Sequence, residues 1–223
     1  MLKAPKGAFW YTHLMSDKEY NRVTTATYNQ IARDYAERDK SPDVDEKFIV
    51  QDGIDAFISV LPPHGKVLDI GVGAGRDSRY LYKHGLNVTG IDSSKEMINL
   101  SKVSEPGIHY IQMDMEEISL AANSFDGVWA NASLHHIPKS HLATVLQSIC
   151  RVLRSNGHFQ LIVKHGEGEG IRENDKFDRK VKRYFAFYSK QELEGAVTSA
   201  GFNVIRSSVE LAGEWVYLLA QKA

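Results

Sequence analysis

The chain has 223 residues, of which 43% are hydrophobic and 25% charged, and its formal net charge is −1. This length suits one sizeable α/β domain with a small appended cap, and the composition excludes a disordered or fibrous chain. A net charge close to zero provides no general attraction to phosphate backbones or anionic lipid. The one cysteine, Cys150, rules out an intramolecular disulfide and shares a predicted apolar helix face, which indicates a packing role.

The first 44 residues are predicted to form an N-terminal cap or lid. The segment Met1 to Trp10 lacks an apolar core, so we expect no signal peptide. No stretch approaches the roughly 18 apolar residues that a spanning helix needs, so no membrane association and a cytoplasmic location are expected. A helix is predicted from Asp17, with a break at Ser41-Pro42-Asp43. One face of this helix carries Tyr28, Ile31, Ala32 and Tyr35.

The main domain is predicted over residues 45–223. After an amphipathic helix, short apolar runs alternate with helical segments, which is typical of βαβ units. With right-handed crossovers, this predicts a doubly wound, Rossmann-like, mostly parallel α/β sheet. The predicted strands are 67–70, 87–91, 108–112, 125–130 and 158–163, and the helices are 76–83, 95–102 and 142–153. After a further helix at 190–200, two apolar runs near Phe202 and Trp215 predict an antiparallel hairpin at the sheet edge.

A glycine-rich loop follows the first predicted strand and directly precedes a helix. Its sequence is Asp69-Ile70-Gly71-Val72-Gly73-Ala74-Gly75. Glycines let the backbone turn sharply and approach a ligand, and the helix N-terminus offers free N–H groups. Asp92 ends the next strand, where a carboxylate can accept hydrogen bonds from both hydroxyls of a ribose. Together these features predict a nucleoside-binding site.

The loop favours S-adenosylmethionine over NAD. The dinucleotide fingerprint G-x-G-x-x-G has its third glycine where this chain has Arg76, whereas here the third glycine is Gly75. Asp69 places a negative charge beside the loop, which would repel a pyrophosphate and attract an ammonium or a sulfonium group.

These residues resemble the motifs of class I S-adenosylmethionine-dependent methyltransferases. Val67 to Gly75, with Asp92, resembles the first two motifs, and Ile111 to Asp114 resembles the end of the third strand, where an acid binds the adenine amino group. Phe125 to Asn131 resembles the fourth strand, whose end lies near the methionine part of the cofactor. Leu153 to His158 resembles the turn into the fifth strand. The resemblance covers residues 45–221, with a departure at Arg76-Asp77.

The resemblance also extends to the lid, because Tyr28 to Tyr35 is similar to the segment that precedes the core in many of these enzymes. An aromatic ring there can stack on adenosine or face the sulfonium, although ordinary packing is the alternative. Asp114 alternatively caps a helix, and Met115 alternatively belongs to the core. The predicted cofactor-binding residues are Tyr28, Tyr35, Asp69, Gly71, Gly73, Gly75, Asp92, Ser93, Asp114, Met115 and Asn131.

The acceptor side is predicted beyond the fourth and fifth strands. His135 and His136 follow the fourth strand, where a histidine can act as general base or orient an acceptor; the alternative is that one of them only bonds to the loop. No third ligand has diagnostic spacing, so no metal site is expected. His135, Arg183 and Tyr188 are predicted to line the acceptor pocket, and His141 is expected to be exposed.

The function that follows is methyl transfer from S-adenosylmethionine to an unidentified acceptor, with a small molecule preferred. Lys164 to Tyr188 resembles the acceptor-side insertion of small-molecule and RNA methyltransferases, and its basic residues adjoin aromatic ones. A tRNA methyltransferase acting on a wobble uridine side chain is therefore one alternative, although the near-neutral charge provides little phosphate binding. A non-catalytic module that binds S-adenosylmethionine is the other. The oligomeric state is not indicated.

Overall fold

The computed structural model describes residues 18–38 and 46–223, with side chains of the second range from Gly53 onward. The predictions for Met1 to Trp10 and for Ser41-Pro42-Asp43 lie outside the described residues. Within them, no helix combines the length and the apolar character needed to cross a membrane.

A seven-stranded sheet forms the centre of the molecule, in the order β3-β2-β1-β4-β5-β9-β8. The first five strands run parallel, and β9 pairs antiparallel with both β5 and β8. This confirms the predicted doubly wound sheet with a terminal antiparallel hairpin. The strands are β1 Lys66–Ile70, β2 Asn87–Asp92, β3 His109–Gln112, β4 Phe125–Asn131, β5 Leu153–Lys164, β8 Phe202–Glu210 and β9 Trp215–Lys222.

Helices cover both faces of this sheet, as parallel sheets require. On β1, Leu68 belongs to the apolar cluster that includes Leu146 of α5, whereas Val67 belongs to the cluster that includes Leu81 of α3. The alternation of strand side chains thus supplies two cores from a short apolar run. The helices are α1 Glu19–Arg38, α2 Glu46–Ser59, α3 Arg76–Lys83, α4 Lys95–Ser104, α5 Lys139–Val152 and α6 Lys190–Ser199.

The charge-rich segment after β5 forms a separate two-stranded sheet that the sequence analysis did not predict. Strands β6 Glu169–Lys176 and β7 Arg179–Ala186 pair antiparallel, and Lys176 is opposite Arg179. The two residues between them, Phe177 and Asp178, have φ values of 52° and 56°. Positive φ at both central positions is the geometry of a type I′ turn, which usually carries Asn-Gly or Asp-Gly. Phe-Asp gives no such signal.

Helix α1 lies between the large sheet and the small one. Thr25 Oγ1 is 2.9 Å from Ser93 Oγ at the end of β2. Thr27 Oγ1 donates to the carbonyl oxygen of Lys182 at 2.6 Å, and the backbone N–H of Tyr184 donates to Thr24 Oγ1 at 2.9 Å. The helix therefore forms a roof over the carboxyl ends of the parallel strands, which is the edge where such sheets bind ligands.

Candidate active site

A cavity of about 1400 Å³ lies beneath α1 at the carboxyl ends of the parallel strands. Pockets for one small ligand measure roughly 300–1,000 Å³, so this cavity has room for two ligands. One side is formed by the ends of β1, β2 and β4 and includes Gly71, Gly73, Asp92, Ser93, Met97, Met113, Met115 and Asn131. The other side includes His135, His136, Lys164, Lys176, Arg183, Phe185, Phe187 and Trp215.

Each predicted loop glycine occupies a distinct environment. Gly71, Gly73 and Gly75 have φ values of 77°, 55° and 83°, which L side chains rarely adopt. A Cβ on Gly71 would lie 2.4 Å from Ser133 Cβ, whereas a Cβ on Gly73 would meet nothing within 4 Å. Gly75 does not line the cavity, and a Cβ there would lie 2.9 Å from the hydroxyl of Tyr110. Gly73 therefore borders ligand space, while Gly75 permits packing beneath the loop.

Asp92 links the glycine loop to the start of α4. Its carboxylate accepts hydrogen bonds from the backbone N–H of Gly73 at 3.0 Å and of Ser94 at 2.8 Å. Burial raises the pKa of Asp92, and these two bonds oppose that shift. Asp92 and the neighbouring Ser93 both line the cavity, so the carboxylate is positioned at the rim where a ribose is expected.

Asp69 lies beneath the cavity and is not among its lining residues. Its side chain accepts a hydrogen bond from Ser78 Oγ at 2.5 Å, and the residue is 2% exposed. Burial, reinforced by the negative charge of Asp77, raises the pKa of Asp69 to about 8. In this position, Asp69 would influence a bound cation through its electric field rather than through contact, and only as pH rises toward about 8 and the carboxyl ionises.

Asp77 is a cavity residue whose role the sequence analysis missed. It accepts hydrogen bonds from Trp129 Nε1 and Asn131 Nδ2, both at 2.9 Å, and pairs with Arg76 Nε at 2.8 Å. Although burial alone raises its pKa, the Arg76 charge and these bonds lower it overall. Asp77 thus fixes Asn131 at the end of β4. The signal was its position directly after the glycines, where the chain departs from the family pattern.

Of the neighbouring residues Asp114 and Met115, only Met115 lines the cavity. The Asp114 carboxylate accepts hydrogen bonds from the Glu116 N–H at 3.0 Å and from Asn21 Nδ2 at 2.7 Å. It therefore caps the short 3₁₀ turn Met115–Glu117, in keeping with the capping alternative, and it does not line the cavity. Met115 does line it.

The two predicted histidines have different environments. His136 uses both ring nitrogens: Nε2 is 2.7 Å from the Tyr28 hydroxyl, and Nδ1 is 2.6 Å from the carbonyl oxygen of Tyr184. Burial and the charge of Arg183 lower the pKa of His136 to about 3. The ring is therefore neutral, with Nδ1–H donating to the carbonyl and Nε2 accepting from the hydroxyl.

His135 is 2% exposed and stacks on Phe185, with ring centroids 5.5 Å apart and planes at 20°. Burial, together with the adjacent His136, lowers the pKa of His135 well below 6.5. Its Nδ1 is buried without a hydrogen-bond partner. His135 lines the cavity as an unprotonated imidazole, which suits an orienting group better than a strong base.

His141 is not simply exposed, contrary to expectation. Its Nδ1 lies 2.7 Å from a carboxylate oxygen of Glu116, and its ring meets Tyr20 edge-on.

No group of three or more His, Cys, Asp or Glu side chains in the described part of the chain could hold a metal ion.

Both predicted lid tyrosines line the cavity. The Tyr28 hydroxyl accepts from Arg183 Nη1 at 3.3 Å in addition to its bond with His136. The Tyr35 hydroxyl accepts from Lys176 Nζ at 2.8 Å. Burial raises the pKa of Tyr35, but the charges of Lys176, Arg38 and Arg183 together outweigh burial and lower it.

Arg183 and Tyr188 do not lie on the same wall. Arg183 lines the cavity and is 5% exposed. Tyr188 is not a lining residue: it is 1% exposed, and Lys139 Nζ lies 5.0 Å from its ring centroid. Side chains alternate along an extended segment, so Phe185 and Phe187 face the cavity while Tyr188 faces the other way. The prediction that Tyr188 lines the acceptor pocket therefore disagrees with the structure.

Comparisons with known proteins identify the family. A model of the methyltransferase domain matches residues 68–161. An uncharacterized methyltransferase of Synechocystis sp. is 30% identical over 161 residues, which cover 69% of this chain and 74% of the relative. The chain belongs to the class I S-adenosylmethionine-dependent methyltransferases. As a member of that family, this methyltransferase uses S-adenosylmethionine as its cofactor.

Two further proteins are similar to this chain, one over part of its sequence and one in its fold. The malonyl-[acyl-carrier protein] O-methyltransferase of Enterobacter lignolyticus is 36% identical over 105 residues, which cover 46% of this chain and 41% of that protein. The crystal structure of Burkholderia thailandensis 1,6-didemethyltoxoflavin-N1-methyltransferase has a TM-score of 0.71 at 22% identity and covers 100% of this methyltransferase and 98% of its own chain. The latter likeness shows the shared fold.

The residues around the glycine loop fit S-adenosylmethionine. Open space lies above Gly73, and the carboxylates of Asp69, Asp77 and Asp92 surround the loop from below and beside it. The lowered pKa of Asp77 keeps its carboxylate ionised, and this negative charge complements a ligand with a sulfonium and an ammonium group and opposes a pyrophosphate; Asp69, with a pKa of about 8, adds its charge only as pH rises.

Proposed function

We propose that this methyltransferase transfers the methyl group of S-adenosylmethionine to a small organic acceptor bound beneath the roof. The observation that carries the proposal is the continuity of the cavity: the glycine loop and the wall containing His135, Arg183 and Phe185 enclose one space. Such a space brings two reactants together.

Each wall has its own proposed role. Gly73, Asp92 and Asn131 hold the cofactor, with Asp77 fixing the Asn131 amide. The cofactor supplies an electrophilic methyl group on a positively charged sulfur. Because that charge disperses during transfer, the protein needs to add little chemistry beyond orientation and exclusion of water. His135 is proposed to orient the acceptor and to take up a proton when the acceptor carries one on its nucleophilic atom.

The charge distribution favours a small acceptor over tRNA. The basic residues of the β6–β7 sheet are partly neutralised: Arg179 pairs with Asp34 at 3.2 Å, and Lys182 pairs with Glu173 at 3.5 Å. Phosphate binding needs a continuous basic surface, and this sheet instead places the aromatic side chains of Phe185 and Phe187 in the cavity wall. The acceptors named for relatives, malonyl-[acyl-carrier protein] and phosphatidylethanolamine, differ from each other and do not decide the matter.

The proposal is tested with cofactor labelled in its methyl group. The purified protein is incubated with a cell extract, and label is then separated into small molecules, RNA and protein. We expect label in small molecules. Label in RNA would support the tRNA alternative, and binding without any transfer would support a non-catalytic module. A Gly73→Ala variant, which blocks the cofactor side, controls for transfer by contaminating enzymes.

A further inference from the structure

Arg183 carries a charge that the described protein does not neutralise. The residue is 5% exposed, and its Nε is buried without a hydrogen-bond partner. Its two other nitrogens donate only to neutral oxygens, Tyr28 Oη and Asn174 Oδ1, both at 3.3 Å. Burying a charge without an opposite charge is unfavourable. An anionic ligand bound beside the Arg183 guanidinium would offset this cost.

The surroundings strengthen this conclusion. Lys176, which lines the same cavity, bonds to the hydroxyl of Tyr35 and forms no ion pair with a carboxylate of the described residues. Two of the carboxylates on this side have other partners: Glu173 pairs with Lys182, and Glu214 pairs with Lys164 at 3.2 Å. Glu167 and Asp175 also line the cavity, but neither forms an ion pair with Arg183 or Lys176. Arg183 and Lys176 therefore face the cavity without a carboxylate partner among the described residues.

Aromatic rings adjoin this charge. The Arg183 guanidinium lies 4.9 Å from the ring centroid of Phe185, on which His135 stacks. Trp215 lies beyond His135, with ring centroids 5.8 Å apart. Phe185, His135 and Trp215 all line the cavity. Flat apolar walls beside a fixed planar cation suit a ligand with an apolar body and one anionic group.

We propose that the acceptor is an organic anion whose charged group pairs with Arg183 and whose body lies against Phe185 and Trp215. This inference rests on the proposed function and names the acceptor's chemical class. The methionine carboxylate of the cofactor is a second source of the same charge. Donors for that carboxylate adjoin the glycine loop at the α3 N-terminus and in Arg76, so we assign it to them and Arg183 to the second ligand.

The test uses benzoate and its neutral analogue benzamide, titrated into protein saturated with S-adenosylhomocysteine. We expect benzoate to bind at millimolar concentrations and benzamide about tenfold more weakly or worse, because only the anion makes charge-assisted bonds. Arg183→Gln should weaken benzoate binding about tenfold to a hundredfold, with S-adenosylhomocysteine affinity unchanged. Arg183→Lys should retain part of the affinity, since it keeps the charge but loses the fork.

Arg179→Gln is the matched control. Arg179 lies on the same strand but pairs with Asp34 and does not line the cavity, so benzoate affinity should not change. Equal binding of benzoate and benzamide, or no benzoate binding, would overturn the inference, and this comparison needs no variant to fold. A joint loss of benzoate and S-adenosylhomocysteine affinity in Arg183→Gln would assign the guanidinium to the cofactor instead.

The labelled extract separates this inference from the proposed function. Label in small molecules retained by an anion exchanger supports both. Label in neutral small molecules that release no labelled methanol on base treatment overturns the anionic acceptor alone, since methylation of a carboxylate itself would give a neutral but base-labile ester. Selective benzoate binding without any methyl transfer overturns the proposed function and leaves an anion-binding site.

Discussion

The hydroxyl of Tyr28 on α1 lies 2.7 Å from Nε2 of His136, whose other nitrogen bonds to the backbone of β7. One imidazole therefore connects the roof helix, the end of β4 and the small sheet. Of the two histidines considered from the sequence, His136 is a connector, and His135, the one predicted to line the acceptor pocket, lines the cavity without these bonds.

Tyr28→Phe tests this connection. The change leaves a buried imidazole nitrogen and the Arg183 guanidinium without one oxygen partner, so the free energy of unfolding should fall by about 1–3 kcal/mol. Urea denaturation measures it. Tyr82→Phe, at a tyrosine that is 39% exposed, is the control and should change stability by less than about 0.5 kcal/mol. Similar losses in both would show that the Tyr28 hydroxyl contributes nothing particular.

His135→Ala should lower methyl transfer about a hundredfold or more, the range attributed to a positioned acid–base group, while the dissociation constant of S-adenosylhomocysteine stays unchanged. Since the pKa of His135 lies well below 6.5, the wild-type rate should show no inflection near pH 6.5 from this residue. Rates with labelled cofactor and calorimetric titration check both statements. Full activity in the variant would place the acceptor elsewhere.

Asp92→Ala should weaken cofactor binding by about 1.5–3 kcal/mol, the usual contribution of hydrogen bonds to a charged group. Calorimetric titration with S-adenosylhomocysteine measures it. Asp126→Ala removes a carboxylate that also accepts from a backbone N–H, that of Lys66, but does not line the cavity. Its cofactor affinity should match the wild type. An unchanged affinity in folded Asp92→Ala would show that Asp92 does not hold the ribose.

Alanine substitutions at Gly71 and Gly73 should differ in their main effect: the first should lower stability and the second should abolish cofactor binding. Gly71→Ala forces a Cβ to within 2.4 Å of Ser133 Cβ, so it should destabilise the fold strongly. Gly73→Ala meets open space, so its stability loss should be close to the roughly 1–2 kcal/mol of a left-handed backbone, yet cofactor binding should be lost. Thermal unfolding and ligand titration on both variants distinguish these effects. Cofactor affinity retained in Gly73→Ala would place the ligand away from the loop.

Asp69 should make stability depend on pH. Its pKa is raised from 3.8 to about 8 in the folded state, so the native protein keeps a proton that the unfolded chain releases. The resulting stabilisation is complete below pH 3.8 and is lost as pH rises through about 8. Burial of His136, whose pKa falls to about 3, acts in the opposite direction.

Comparison with Asp69→Asn isolates the carboxyl group. The difference in unfolding free energy between the wild type and this variant should change steadily as pH rises toward about 8 and level off above it. Binding of the positively charged S-adenosylmethionine to the wild type should strengthen over the same range, since an ionised Asp69 attracts it. A pH-independent difference would mean that Asp69 is ionised throughout.

The large sheet and the cofactor side were predictable because their signals are local. Alternating apolar runs and helices placed the first four strands to within one residue, and α3 begins and ends where predicted, at Arg76 and Lys83. Strand β5 is the exception, because it begins at Leu153, five residues before the predicted start. Glycine spacing and Asp92 identified the loop. These features depend on local backbone conformation and on burial, and both are indicated by the pattern of apolar residues and glycines within a short stretch of sequence.

The acceptor side was less predictable because its elements are stabilised by distant partners. Strand β7 exposes Arg179, Lys180 and Lys182 and gains its order from bonds to α1, about 155 residues earlier in the chain for Thr27 and Lys182. Tyr188 was assigned to the wrong wall because the strand register that orients it follows from that unpredicted sheet. Asp77 was overlooked because its importance depends on Trp129 and Asn131, which approach it only in the folded chain.

The position of β9 between β5 and β8 has a consequence for how the molecule is made. Seven residue pairs join β9 to β5, so the edge of β5 beside buried residues such as Leu161 and Val163 stays open until the segment Trp215–Lys222 has been synthesised. An uncovered apolar strand edge is a template for aggregation. A nascent chain of this protein is therefore exposed to misassembly throughout the translation of β6, β7, α6 and β8.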